Sequence, residues 1–140
     1  MEIYLKKTGK LTLGIMLMLF LFWGCGGGQN RAAKEQLENA KSQTTQNINK
    51  YKNEIQERIN YVDEEIDNAS GELKENLQES RKELKAQKER LEKELENVKN
   101  ASVDTWNDVV ANASESLGKA RTKMNEVSKN VREWLDDEVD

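Results

Sequence analysis

The chain lacks the residues from which most metal sites and hydrolytic active sites are built. Its 140 residues include no histidine, no proline and a single cysteine, Cys25. Zinc sites and nucleophile–base pairs therefore lack their usual imidazole ligands and bases. Carboxylates are plentiful, but catalysis by paired carboxylates needs a concave pocket that separates their pKa values, and no segment is suited to building one. The composition predicts a protein that is not an enzyme and has no metal ion, cofactor or small-molecule substrate.

Glycine and aromatic residues are also scarce, which favours long helices over a thick globular core. After Gly26–Gly28 only Gly71 and Gly118 remain, and aromatic residues make up 6% of the chain. Glu, Lys, Gln, Asn and Leu dominate instead; these residues form helices well or acceptably, and no proline interrupts them. We therefore expect an all-α fold of long amphipathic helices, each burying one narrow stripe, arranged as an antiparallel hairpin or a three-helix bundle or coiled coil.

The amino-terminal segment has the pattern of a bacterial lipoprotein signal peptide. A basic start at Lys6, Lys7 and Lys10 precedes an apolar run over residues 11–23, then Gly24 and Cys25. A charged start, a short apolar stretch and a small residue before the cleavage point are typical of secretory signals. Because the only cysteine follows directly, the segment resembles lipoprotein signals in which that thiol receives a diacylglycerol group. The resemblance implies a signal peptide over 1–24, lipid attachment at Cys25 and a flexible tether over 25–32.

The residues around the cleavage point leave one alternative open. Lipoprotein signals usually read Leu, a small residue, Gly or Ala, then Cys, whereas this chain reads Phe22-Trp23-Gly24-Cys25. The alternative is an uncleaved anchor, although a spanning helix needs about 20 apolar residues and the run over 11–23 supplies 13. Both readings place the body of the protein outside the cytoplasm, held to a membrane. In a bacterium with two membranes, Gly26 after the cysteine resembles lipoproteins sent to the outer membrane.

The net charge of the mature chain argues against two classes of partner. Removing residues 1–25 leaves 19 Lys and Arg against 25 Asp and Glu, a net charge of about −6. An acidic surface repels nucleic acid and anionic lipid headgroups, so bulk charge attracts neither. The expected contact with a membrane is through acyl chains on Cys25, and the expected protein partner is another copy or another helix.

A long apolar stripe runs through residues 33–99 at nearly the period of a straight helix. It covers 58 residues in 16 steps, about 3.63 residues per step, between an 11-residue repeat and an ordinary helix. Several intervals follow the 3-4-4 pattern of such a repeat, which favours nearly straight helices over a supercoiled zipper. The stripe consists of Leu37, Ala40, Thr44, Ile48, Tyr51, Ile55, Ile59, Val62, Ile66, Ala69, Leu73, Leu77, Ser80, Leu84, Gln87, Leu91 and Leu95.

Residues 102–137 are expected to form an amphipathic helix that contains two tryptophans. Its apolar positions run from Trp106 to Trp134, 28 residues in 8 steps, which is the heptad spacing of 3.50. One interpretation of such a helix is binding at a membrane interface, and the other is packing of the tryptophans against partner helices. Interfacial helices usually carry a basic polar face, whereas this segment ends in Asp136-Asp137-Glu138, which favours packing. The stripe consists of Trp106, Val110, Ala113, Leu117, Ala120, Met124, Val127, Val131 and Trp134.

Two candidate breaks decide the number of helices. Ser102 is a good N-cap that places Asp104 in a first turn, where negative charge suits the helix dipole. The second candidate lies at 67–71, where Gly71 either ends one helix or is tolerated inside a longer one. With both breaks, helices are expected over 33–68, 71–99 and 102–137, which are similar enough in length for an up-down-up bundle. With one break, a single helix of roughly 100 Å precedes a shorter one.

The junction after residue 97 carries a family resemblance. The motif Val98-Lys99-Asn100-Ala101-Ser102 precedes Asp104-Thr105-Trp106-Asn107-Asp108-Val109, within a Glu/Lys/Leu-rich region over residues 50–130. This arrangement resembles a widespread group of small bacterial coiled-coil proteins named as stress-response proteins. The resemblance implies a helical protein without catalytic residues or cofactor.

Two functions are compatible with these patterns. The first is a lipid-anchored, non-enzymatic helical protein of the bacterial cell envelope with a spacer or interaction role, related to stress if the family resemblance holds. The second is an apolipoprotein-like or chaperone-like protein, whose straight amphipathic stripes bind lipid surfaces or unfolded clients.

Overall fold

The computed structural model describes residues 30–139, which form three α-helices joined by two short turns. The helices are α1 over Asn30–Asn68, α2 over Gly71–Asn100 and α3 over Trp106–Val139. The residues from 30 to 139 contain no strand. The predicted all-α class is confirmed, and of the predicted arrangements the structure adopts the three-helix bundle. Cys25, the signal peptide predicted over 1–24 and the tether before residue 30 lie outside the described residues.

Polar contacts between α1 and α2 show that these helices are antiparallel. As the partner on α1 moves from residue 52 to 56 to 63, the partner on α2 moves from 92 to 88 to 81. Both helices therefore advance by the same number of residues in opposite directions. The contacts are Lys52–Glu92 at 3.4 Å, Gln56–Lys88 at 2.7 Å and Asp63–Arg81 at 2.9 Å.

Helix α3 runs antiparallel to α2 and parallel to α1. Ser116 Oγ donates to Glu94 Oε1 at 3.0 Å, and further along Lys123 lies 3.6 Å from Glu83, so residue numbers rise on α3 as they fall on α2. The Arg58 guanidinium on α1 donates to Ser128 Oγ on α3. The bundle is therefore up-down-up, with the start of α1 at one end and the α1–α2 turn and the end of α3 at the other.

The core follows both apolar stripes expected from the sequence, since every stripe position is buried or partly buried. Ile48, Ile55 and Leu84 have no exposed surface, and Trp106 is 4% exposed. Trp134 is partly buried and packs against the same core. Three further core residues, Val98, Ala101 and Ser116, were not among the predicted positions.

The α1–α2 turn coincides with the candidate break at 67–71. Ala69 N donates to Ile66 O at 3.3 Å as α1 ends. Ser70 is extended, with φ −139° and ψ 162°, and Gly71 has φ +62°. Positive φ is costly for residues with a Cβ but not for glycine, so Gly71 allows the chain to reverse here. The alternative of one unbroken helix through this segment is therefore wrong for this structure.

Two helix boundaries differ from expectation. Helix α3 begins at Trp106 rather than at Ser102, because residues 103–105 form a turn. Ser102 nevertheless makes the hydrogen bonds expected of an N-cap residue: Thr105 N donates to Ser102 Oγ at 3.4 Å, and Ser102 N donates to Thr105 Oγ1 at 2.9 Å. Helix α1 begins at Asn30, within the tether predicted to extend to residue 32. Arg31 and Ala32 are good helix formers, so the helix extends toward the glycines.

Candidate functional site

The predicted attachment residue, Cys25, lies outside the described residues, so the structure gives no geometry for it. Within residues 30–139 no helix is long and apolar enough to cross a membrane. The same part of the chain contains no group of acidic residues arranged to hold a metal ion. The features of the described region that remain to be considered are its surface grooves.

One concave surface is a groove between α1 and α3, toward the end of the bundle that holds the α1–α2 turn. Its volume is about 290 Å³. We call it the α1–α3 groove; it is lined by Arg58, Tyr61, Val62, Val127, Ser128, Val131, Arg132, Leu135 and Asp136. It combines a floor of buried valines with guanidinium and hydroxyl groups on the rim.

Hydrogen bonds fix one of the two guanidinium groups at this groove. Ser128 Oγ donates to Met124 O at 2.8 Å, within α3, and accepts a hydrogen bond from the Arg58 guanidinium across the groove. Tyr61 is 48% exposed, which is high for an aromatic residue, and Leu135 is partly buried against the core. Tyrosine and arginine often dominate binding energy at protein interfaces. The groove could hold an apolar side chain of a partner, but no lining side chain is a nucleophile paired with a base.

A shallower groove lies between α2 and α3 near the middle of the bundle, with a volume of about 470 Å³. Lys123 lies 2.9 Å from Glu126 and 3.6 Å from Glu83, which joins α3 to α2. The hydrogen bond to Glu126, with help from Glu83, raises the pKa of Lys123 above its ordinary value even though desolvation acts against it. The groove is lined by Gln87, Arg90, Glu115, Gly118, Lys119, Thr122, Lys123 and Glu126.

Three details of this second groove bear on stability. The Oε1 atom of Gln87 is buried and has no hydrogen-bond partner among the described residues. A hydrogen bond from Lys119, together with its positive charge, lowers the pKa of Glu115, which lies one helical turn away. Gly118 lies between Glu115 and Lys119 on α3, and there is open space where its Cβ atom would stand.

Neither groove was predicted from the sequence, because each depends on the register between helices. Arg58, Tyr61 and Arg132 lie off the apolar stripes and read as ordinary polar-face residues. Tyr61 carried the one available signal, since it is an aromatic residue outside the stripe.

The junction that carries the family resemblance is a structural element of the bundle. Val98 and Ala101 are buried beneath the α2–α3 turn, and Trp106 is buried as α3 begins. The resemblance to the stress-response coiled-coil group stays a prediction from the sequence. Searches of family models, curated proteins and solved structures find no match to this chain.

Proposed function

We propose that this protein is a lipid-anchored, non-enzymatic helical protein of the bacterial cell envelope that acts as a spacer or a binding platform. The sequence before residue 30 supports the anchor. The three-helix bundle supports the role as a spacer or binding platform. The observation that supports the role most directly is that the apolar stripes pack against one another within one chain. The outer surface is consequently charged and suited to contact with water and with other proteins.

The dimensions of the bundle suit a spacer. Helix α1 has 39 residues, which gives a length of about 58 Å at 1.5 Å per residue. Helices α2 and α3 pack along most of it, with inter-helix contacts from Lys41 at one end to Arg132 and Leu135 near the other. Three packed helices resist bending far better than a single helix. The end of the bundle that holds the α1–α2 turn would therefore be kept at a distance from the anchor that the length of α1 sets.

The anchor is tested by following the processing of the chain in bacteria. Globomycin, which blocks the lipoprotein signal peptidase, should cause a larger precursor to accumulate, and radiolabelled palmitate should be incorporated. The Cys25→Ser variant is the matched control, and it should incorporate no palmitate. Unchanged gel mobility with globomycin, together with no label on the wild-type chain, would remove the lipid anchor from the proposal.

The second candidate is an apolipoprotein-like or chaperone-like protein whose helices open onto lipid or unfolded clients. One observation favours it: Thr44, Ser80 and Ser116 are polar residues within the core, and they reduce its apolar content. Circular dichroism of residues 26–140 with and without vesicles separates the two candidates. A cooperative melt of a highly helical protein without lipid supports the closed bundle, whereas helicity that appears only with lipid supports the second candidate.

A further inference from the structure

Charge is distributed unevenly along the bundle. We define the acidic end as residues 61–80 and 129–139, which surround the α1–α2 turn and the last turns of α3. It has 11 acidic and 3 basic residues, a net charge of −8. The rest of the described chain, residues 30–60 and 81–128, has 13 acidic and 16 basic residues, a net charge of +3. The overall acidity of the protein therefore comes from one end of the bundle.

The acidic end is the end farthest from the start of α1. Residue 61 follows Asn30 by 31 residues of continuous helix, which corresponds to about 46 Å. Cys25 precedes Asn30 by five residues, so its Cα lies within about 18 Å of the start of α1 whatever the conformation between them. A lipid on Cys25 would therefore hold the bundle by the end opposite the acidic one.

Helix stability does not explain these acidic residues, because they occupy unfavourable positions. The negative pole of a helix dipole lies at its C-terminus, where acidic side chains are destabilising. Helices α1 and α3 both end at the acidic end, and neither has a basic residue in its last turn. Asp67 lies in the last turn of α1, and Asp136, Asp137 and Glu138 lie in the last turn of α3. All four are exposed, and none forms an ion pair with another described residue.

We propose that the acidic end holds the bundle upright on an anionic bilayer, because anionic lipid headgroups repel it while the rest of the bundle is tolerated near them. The inference rests on the proposed anchor at Cys25. A bundle lying flat would bring the net charge of −8 within a Debye length of the headgroups, about 10 Å at 0.1 M salt. Upright, the same charges stand several Debye lengths away from the headgroups. The partner surface is thus a bilayer containing anionic phospholipid.

The orientation can be measured as the thickness of the protein layer on a supported bilayer by neutron reflectometry. The lipidated full-length mature protein is placed on bilayers of phosphatidylcholine with phosphatidylglycerol, in low salt. Upright bundles should give a layer about 55 to 60 Å thick, set by the length of α1. Flat bundles should give about 20 to 25 Å, the depth of two packed helices. Phosphatidylcholine alone, or about 1 M salt, at which the Debye length is roughly 3 Å, should give a thinner layer, because the repulsion that holds the bundle upright is then absent or screened.

Charge reversal at the acidic end is the decisive variant. Glu64, Glu75 and Asp137 are exposed and form no ion pair within the described part of the chain, so E64K/E75K/D137K changes the net charge of the acidic end from −8 to −2. This variant should give a thin layer on the anionic bilayer. The matched control, E64D/E75D/D137E, alters the same positions but keeps their charge, and it should stay thick. Circular dichroism establishes that both are folded, and the salt series on the wild-type protein tests the inference without any substitution.

The inference is overturned if the wild-type layer has one thickness in all lipid and salt conditions, or if the lysine variant stays as thick as the wild type. Failure of the anchor is a separate outcome, seen as absence of palmitate on Cys25. In that case the thiol of Cys25 in the unlipidated chain can be coupled to a maleimide lipid. The same thickness measurements then test the orientation at the same attachment point.

Discussion

Replacing Gly71 with alanine tests the turn that divides the long apolar stripe into two helices. With φ at +62°, an alanine here would be forced into the left-handed region, at a cost of about 1 to 2 kcal/mol. Alanine also restricts the unfolded chain, which stabilises the fold by about 0.4 to 1 kcal/mol. No atom within 4 Å would meet the new Cβ, so no clash adds to the balance. We expect Gly71→Ala to lower the free energy of unfolding by about 0.5 to 1 kcal/mol.

Gly118 provides the matched control, because the same substitution should have the opposite sign there. Gly118 lies inside α3 at an ordinary helical φ, and its new Cβ would also meet open space. Gly118→Ala should therefore raise the free energy of unfolding by up to about 1 kcal/mol. Urea unfolding of residues 26–140, followed by circular dichroism at 222 nm and by tryptophan fluorescence, measures both variants. If Gly71→Ala stabilises the protein as Gly118→Ala does, Gly71 is an interior helical residue and the two-turn fold is incorrect.

Three further predictions, which use four substitutions, test the core and the second groove. Leu84→Ala should lower the free energy of unfolding by about 2 to 5 kcal/mol, since Leu84 has no exposed surface. Leu95→Ala should lower it less, because Leu95 is only partly buried. Equal losses in urea unfolding would contradict the packing. Gln87→Met should raise the melting temperature, because it removes a buried acceptor that has no partner among the described residues; a lower melting temperature would mean that Oε1 is hydrogen-bonded in solution. The fold raises the pKa of Lys123. The stabilisation of the folded state by charged Lys123 is therefore complete below the ordinary pKa of 10.5 and is lost as the pH rises through the pKa in the fold. The urea midpoint of the wild type should accordingly fall between pH 9 and pH 11.5 by more than that of Lys123→Gln, and parallel falls would show that the ion pairs with Glu83 and Glu126 contribute nothing.

The apolar pattern predicted the core well because a buried stripe on a helix needs only a helical period and apolar residues. Even the polar positions Thr44 and Ser80 were placed correctly, since their burial follows from their phase within the stripe. The start of α3 was placed four residues early. Ser102 exchanges with Thr105 the two hydrogen bonds expected of an N-cap residue, but residues 103–105 form a turn before regular α-helix begins at Trp106, and the sequence does not show how that first turn is wound.

Predicting the two grooves would have required information that a single sequence does not contain. Arg58 and Ser128 are 70 residues apart, and they meet only because α1 and α3 are parallel at one particular register. That register follows from how the apolar faces of three helices share one core, which is a property of the whole bundle. The uneven charge distribution has the same origin, because the segments 61–80 and 129–139 come together only when the chain has reversed twice.

Three of the polar contacts between α1 and α2 have the same 11-residue spacing as the apolar stripe. Along α1, residues 41, 52 and 63 make polar contacts with α2, at intervals of 11 residues. Eleven residues make three turns at 3.67 per turn, close to the 3.6 of an unstrained helix, so the contacting face drifts little along the axis. Each exposed ion pair contributes at most about 1 kcal/mol, so these contacts follow from the register rather than set it. In the proposed anchored protein, the length of α1 sets the height of the bundle above the bilayer. The same geometry that fixes the distance of the acidic end from the start of α1 would therefore make repulsion at that end effective in setting the orientation.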